Sequence, residues 1–167
     1  RTDPAGGQQW SKVLKGSVNE ARQVAGAVAP IGQSDSLVGG GLWEQAGGVD
    51  FHLARYTNAG ELAWSKTLSL AKSQEAIGAL LVDKYGGITA AGDRTEGGRT
   101  GVRVVQLSAI GLPVWAVNHH DSKQDHVLGD VLRRVDGSLL VLATRKDPAN
   151  GEEKGLLLPI SVAGQVG

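Results

Sequence analysis

The 167-residue chain carries 17 basic and 17 acidic side chains, so its formal net charge at pH 7 is zero. Without a concentrated basic face it has no electrostatic basis for binding nucleic acid or an anionic membrane, and no apolar run approaches the roughly 20 residues that span a bilayer. The absence of cysteine excludes disulfides, zinc ribbons and thiol catalysis, and a start at Arg1 with no methionine predicts a processed product, a domain or a fragment.

The first recurring element along the chain is a Gly-x-x-x-Trp phrase. Its copies lie at Gly6–Trp10, Gly60–Trp64 and Gly111–Trp115, and the glycine alone returns at Gly164. Successive glycines are therefore 54, 51 and 53 residues apart. This self-similarity predicts a single repeat domain over residues 1–167, with repeats at approximately 7–60, 61–111 and 112–164.

Strand patterns follow each copy of this phrase. The composition of Ala21–Ala29 would suit a weak helix, but its equivalence to residues 76–84 predicts a strand. The middle repeat contains four short runs that are rich in Val, Ile, Leu or Thr and bounded by glycine or polar residues, namely Leu62–Leu68, Ala76–Asp83, Ile88–Asp93 and Gly101–Leu107. The expected fold is all-β, with about twelve strands in three four-stranded antiparallel repeats.

Two longer stretches resemble the repeats of bacterial and archaeal β-propeller proteins. Asp50–Leu68 is similar to the aspartate, aromatic, asparagine, glycine and tryptophan signature of those repeats, and Asp83–Asp93 is similar to their Asp-Gly-Gly and Ala-Gly stretch. The Gly-x-x-x-Trp phrase also resembles the tryptophan-docking motif of quinoprotein-like propellers. The resemblance implies that the repeats are β-propeller blades. A β-trefoil, whose three units can have similar length, is the alternative.

The recurring glycines and tryptophans are interpreted as structural residues. An indole at the start of a strand can cover the seam between neighbouring units, and the preceding glycine permits the tight turn that delivers the strand. The residues concerned are Gly6, Trp10, Gly60, Trp64, Gly111, Trp115 and Gly164. Trp43 lies off this pattern, where the other repeats carry Arg94 and Arg145, so it is a candidate for an exposed binding contact.

A dense polar cluster follows the third tryptophan. Its candidate binding residues are His119, His120, Asp121, Asp125 and His126. Imidazoles and carboxylates can hold zinc, copper or nickel, but the spacing fits no standard zinc signature, and adjacent histidines on a strand point to opposite faces. We therefore predict a solvated loop with no firm metal site, and no cofactor. We expect alanine at the three histidines to leave stability nearly unchanged.

No motif for nucleophilic catalysis stands out, because the sequence has no Gly-x-Ser-x-Gly elbow and no cysteine. We predict a non-catalytic binding or scaffold module that presents propeller loops to a protein or glycan partner. One alternative is a fragment or subunit of a propeller enzyme whose active site lies at the axial mouth. The other is a structural module of a secreted or surface protein.

Three blades are too few to surround an axis, since propellers typically contain about 4 to 8. We therefore expect further blades from a second copy or from another segment, which would complete a larger or oligomeric ring. The predicted location is extracytoplasmic, meaning periplasmic, secreted or on the cell surface.

Overall fold

Eleven β-strands and no helix make up the part of the chain that the structure, a computed structural model, describes: residues 5, 7, 11, 23–43, 48–70 and 72–167. The prediction of an all-β fold is confirmed. The described part of the segment that could have been a weak helix, from Gln23 onward, is a strand, and the predicted strand Leu62–Leu68 has the bounds expected from the sequence.

The strands form three antiparallel meanders of consecutive strands, which we name A, B and C. Meander A contains β1 (Gln23–Ile31), β2 (Asp35–Trp43), β3 (Val49–Tyr56) and β4 (Leu62–Leu68). Meander B contains β5 (Ser73–Val82), β6 (Ile88–Glu96), β7 (Arg99–Leu107) and β8 (Pro113–His119). Meander C contains β9 (Asp125–Arg133), β10 (Leu139–Lys146) and β11 (Glu153–Ile160). A parallel bridge between Val49 and Gln74 joins meanders A and B, whereas meander C is a separate sheet.

The sequence repeat and the hydrogen-bonded meander are offset by one strand. β4 follows Gly60 and so belongs to the second repeat, but it pairs with β3 of the first repeat, as at Leu53 and Lys66. β8 pairs with β7 in the same way, as at Val104 and Val117. The Gly-x-x-x-Trp phrase therefore leads into the last strand of one meander, and the next meander begins after that strand.

Meander B lies between the other two meanders and buries both of its faces. On β6, Ile88 and Ala90 are buried in the core shared with meander A, whereas Ala91 is buried in the core shared with meander C. This alternation is the period-two pattern of a strand that is covered on both sides. The two cores, at roughly 25 cal/mol for each Å² of apolar surface removed from water, are the main source of stability.

Small residues allow close packing both between meanders and between paired strands of one meander. A Cβ built on Gly39 of β2 would lie 3.0 Å from Ile77 Cγ2 and 3.0 Å from Leu80 Cδ1, both in meander B. A Cβ built on Gly92 of β6 would lie 2.0 Å from the carbonyl oxygen of Ala76 on the paired strand. Larger residues at these positions would force the packed strands apart.

Candidate binding face

The turns after the first strand of each meander lie side by side and enclose two neighbouring grooves. One groove is lined by the β1–β2 turn, at Pro30 to Gln33, and by the β5–β6 turn. The other is lined by the β5–β6 turn and the β9–β10 turn, at Arg133 to Gly137. Both grooves include Tyr85, whose side chain is 81% exposed. Tyr85 therefore forms a ridge between two concave surfaces, and we call this region the turn face.

The β5–β6 turn is built to hold Tyr85 outward. The carboxylate of Asp83 accepts hydrogen bonds from the backbone N–H groups of Tyr85 and Gly87, each at 2.8 Å. Gly86 has a φ of 84°, a conformation that favours glycine. The Nζ atom of Lys84 lies 4.9 Å from the centroid of the Tyr85 ring, which is within cation–π distance.

Two arginines on the turn face are held in place by polar contacts. In the first groove, Arg55 Nη2 lies 2.8 Å from Asp35 Oδ2. In the second, Arg133 Nη2 donates to Thr89 Oγ1 at 2.6 Å, which ties meander C to meander B. Because these guanidinium groups are already oriented, they lose less side-chain freedom when a ligand binds.

The carboxylate of Asp136 forms hydrogen bonds within the β9–β10 turn. It accepts hydrogen bonds from the hydroxyl and the backbone N–H of Ser138, and these bonds lower the pKa of Asp136. The carboxylates of Asp83 and Asp136 are therefore used in turn formation, while Lys84 and Arg134 are exposed.

The predicted histidine cluster lies elsewhere, around the connection between β8 and β9. His119 ends β8, His120 is exposed, and His126 is the second residue of β9. The rings of His119 and His126 stack with centroids 4.8 Å apart and planes 16° apart. Parallel stacking does not direct the nitrogens of both rings to one metal ion, and the described residues contain no group of three or more His, Cys, Asp or Glu that could hold one.

The expectation of a solvated loop is wrong for His126. Its side chain is only 3% exposed, and neither ring nitrogen has a hydrogen-bond partner among the described residues. The reason is that β9 begins at Asp125, so strand alternation directs His126 into the protein. Burial lowers the pKa of both His119 and His126.

The acidic members of the cluster serve as local structural residues. Asp121 accepts a hydrogen bond from the backbone N–H of Lys123 at 2.7 Å. Asp125 accepts one from the backbone N–H of Thr100 at 2.9 Å and lies 3.7 Å from Arg99 Nη1. Asp121 therefore stabilises the connection between β8 and β9, whereas Asp125 joins β9 to meander B.

In meander B, a buried ionic network surrounds Glu75, which is the repeat counterpart of His126 because each follows the tryptophan of its repeat by eleven residues. Glu75 is 1% exposed, accepts a hydrogen bond from Ser73 Oγ at 2.9 Å, and forms ion pairs with Arg103 and Arg94. Burial raises the pKa of Glu75, and Arg103, Ser73 and Arg94 oppose that shift. The sequence marks Glu75 only as the repeat partner of His126, since Arg103 lies 28 residues away.

Arg103 also links meander B to meander A. Its Nη1 atom donates to the carbonyl oxygen of Leu68 at 2.9 Å, and its guanidinium carbon lies 5.1 Å from the ring centroid of Phe51. The network around Glu75 therefore stabilises the seam between the two meanders, and it lies away from the two grooves of the turn face.

Each recurring glycine that can be described adopts a positive φ: 79° at Gly60, 77° at Gly111 and 79° at Gly164. The tryptophan of one Gly-x-x-x-Trp copy lies against the next recurring glycine along the chain, as Trp64 does at Gly111 and Trp115 does at Gly164. Gly6 and Trp10 lie outside the described residues. Trp43 is the last residue of β2, and its side chain also lies outside the described part.

Comparison of the sequence with protein-family models and with curated proteins finds no match. Within the residues that the structure describes, no helix is long and apolar enough to cross a membrane. The case for a function therefore depends on the geometry of the turn face, which the sequence patterns did not single out. The signal that could have indicated it is the aromatic residue at the tip of the Asp83–Gly87 turn.

Proposed function

We propose that the chain is a non-catalytic binding and scaffold module made of propeller-type blades, which presents its turn face to a protein or glycan partner. The observation that carries the proposal is the exposed ring of Tyr85 between two grooves. Tyrosine offers a large contact area at low conformational cost, and it is enriched in binding surfaces. The hydrogen bonds of Asp83 fix the turn, so the ring is presented before any partner arrives.

The propeller assignment is supported by the way the meanders stack. Meanders A and B each have four antiparallel strands in sequence order, and meander B packs one face on each neighbour. Blades arranged around an axis have this relationship. The β-trefoil alternative gains less support, because two four-stranded meanders joined by one parallel bridge are more sheet-like than the hairpins of a trefoil.

The arginines around Tyr85 favour a protein partner over a glycan. Arg55, Arg133 and Arg134 border the grooves, and arginine is enriched together with tyrosine at protein interfaces. A glycan that stacks on the Tyr85 ring is the other outcome that the same surface can support. A structural module or an enzyme whose ligand binds elsewhere would not depend on Tyr85.

The test is to screen the full chain against an array of short peptides and an array of neutral and acidic oligosaccharides. For any compound that binds, we expect Tyr85→Ala to weaken binding at least about tenfold, the size of a hot-spot residue. Ile110→Ala is the matched control, because Ile110 is a 65% exposed apolar residue on a neighbouring turn and lines neither groove. Binding that survives Tyr85→Ala, or two arrays without a single bound compound, would contradict the proposal.

A further inference from the structure

One face of meander C carries large apolar side chains that are left in solvent. Leu142 on β10 is 46% exposed, and Leu157, its partner on β11, is 59% exposed. Leu132 on β9 is 50% exposed and pairs with the half-buried Leu140. We call these four residues the leucine face. Exposed apolar surface of this kind marks an interaction site in soluble proteins.

The internal repeat shows what type of surface covers this face. In meander B, the row of paired residues Ala79, Ala91 and Val104 lies in the core shared with meander C. The corresponding row of meander C is Asp130, Leu142 and Leu157. Leu142 and Leu157 are members of the leucine face. The leucine face is therefore the same side of the sheet as a face that meander B buries.

The row that meander C places against meander B consists of Val131, Val141 and Leu158, all buried in the shared core. Meander B presents the equivalent row to meander A, made of Leu80, Ala90 and Val105. The same kind of interface is thus used twice within the chain.

Meander A carries a third copy of this row on the side that faces away from meander B. It consists of Val28, Val38 and Ala54, which are paired across β1, β2 and β3. Val28 is 72% exposed, Val38 is half-buried and Ala54 is buried. We call this row the valine face. The chain therefore has the two complementary halves of its own internal interface on opposite ends of the stack.

We propose that the leucine face of one copy docks on the valine face of a second copy, as meander B docks on meander C. Because the two faces differ, the contact is head to tail, and such contacts either close into rings or extend into filaments. Two copies supply six meanders, a number within the range of about 4 to 8 blades that closes a ring. This self-association is separate from the proposed binding of a partner at Tyr85 and does not depend on it.

The first experiment measures the mass of the full chain by sedimentation over micromolar concentrations. We expect a closed dimer with twice the 17.3 kDa mass of the chain. Leu142→Glu and Val28→Glu each place a charge on one of the two faces, and each is expected to weaken self-association at least about a hundredfold. Val135→Glu is the control, because Val135 is fully exposed on the β9–β10 turn and belongs to neither face.

A mixture of the two variants separates a head-to-tail contact from a symmetric one. The Leu142→Glu variant retains its valine face and the Val28→Glu variant retains its leucine face, so the mixture should form a dimer through one intact contact. Far-ultraviolet circular dichroism checks that both variants fold. A dimer formed by Val28→Glu alone would indicate contact between two leucine faces and would overturn the proposal.

A cross-linking variant tests the same contact without disrupting it. The chain has no cysteine, so Val28→Cys combined with Leu142→Cys introduces the only thiols. Under mild oxidation we expect a disulfide between copies, whereas the two single variants serve as controls for nonspecific coupling. Two further results would overturn the proposal. One is a wild-type chain that stays monomeric at every concentration, and the other is a double variant that forms no more cross-link than the single variants.

Discussion

The indole of Trp115 lies against Gly164, the next recurring glycine after Gly111. A Cβ built on Gly164 would be 2.7 Å from Trp115 Cδ2, and the indole N–H donates to the carbonyl oxygen of Val162 at 3.1 Å. Trp64 packs against Gly111 in a similar way, with a Cβ on Gly111 lying 3.2 Å from Trp64 Cη2, but the indole N–H of Trp64 has no hydrogen-bond partner among the described residues. The glycine therefore serves its own turn and also leaves room for the tryptophan of the preceding Gly-x-x-x-Trp copy.

The first prediction concerns the double role of this glycine. Gly164→Ala should lower the free energy of unfolding by about 2–5 kcal/mol, because strain at a positive φ adds to overpacking against Trp115. Gly151→Ala is the matched control, since Gly151 has a φ of 73° and its Cβ would meet nothing in the described part of the chain within 4 Å. Urea denaturation checks the difference, and equal losses would show that the indole contributes nothing.

The second prediction concerns the buried carboxylate of Glu75. Glu75→Gln removes the charge that neutralises Arg103 and Arg94, and we expect a loss of about 3–5 kcal/mol because buried guanidinium groups are left uncompensated. Glu153→Gln provides the comparison, since Glu153 is exposed and pairs with Lys146 at 3.2 Å. That change should cost less than about 1 kcal/mol. Similar costs in thermal and urea unfolding would argue against a structural role for the network.

The third prediction is a loss of stability in mild acid that comes from the stacked histidines. Burial lowers the pKa of His119 and His126 in the folded protein, so protonation favours the unfolded chain. Their contribution is complete above the unfolded pKa of about 6.5, and it falls below that pH by up to about 1.4 kcal/mol per pH unit for each histidine.

Unfolding measured between neutral and mildly acidic pH checks this dependence. His126→Leu should make it shallower, because it removes one titrating group and keeps an apolar side chain in the buried position. His120→Gln is the control, since His120 is exposed. A pH dependence that is the same in all three proteins would assign the effect to titratable groups other than the stacked pair.

The fourth prediction concerns the turn that presents Tyr85. Asp83→Ala removes the acceptor of two backbone hydrogen bonds, and we expect a loss of about 1.5–3 kcal/mol, as for hydrogen bonds to a charged group. Amide hydrogen exchange at Gly87 should also become faster. Lys84→Ala changes the neighbouring exposed residue and should stay within about 0.5 kcal/mol. If Asp83→Ala leaves both stability and exchange unchanged, the turn is held by other contacts.

The sequence predicted local structure well where the pattern was strong. Leu62–Leu68 was predicted with its observed bounds, and the strand predicted from Ala76 begins three residues earlier, at Ser73. Ser73 is buried and donates its hydroxyl to Glu75, so tertiary contacts extend that strand beyond its apolar run. The offset between repeat and meander was not predicted, because similarity along the chain does not say which strands pair.

The candidate site depended on relationships that no local pattern contains. The stretch Asp83–Asp93 resembles part of a propeller repeat, but the grooves beside Tyr85 arise only when the turns of three meanders come together. The burial of His126 was missed because the polar residues before it hide the start of β9. The role of Arg103 was missed because its partners, Leu68 and Glu75, lie in other strands.

The offset between repeat and meander has a consequence for how the chain can be divided or extended. Residues 61–111, one repeat by sequence, contain β4 of meander A and only the first three strands of meander B. Excision at the glycines therefore never releases a complete sheet, whereas cuts in the connections at residues 69–72 and 120–124 do. Insertion of an additional sequence repeat at one of the recurring glycines has the opposite effect. The first strand of each repeat then completes the sheet of the repeat before it. Such an array can be lengthened while every internal sheet keeps four strands.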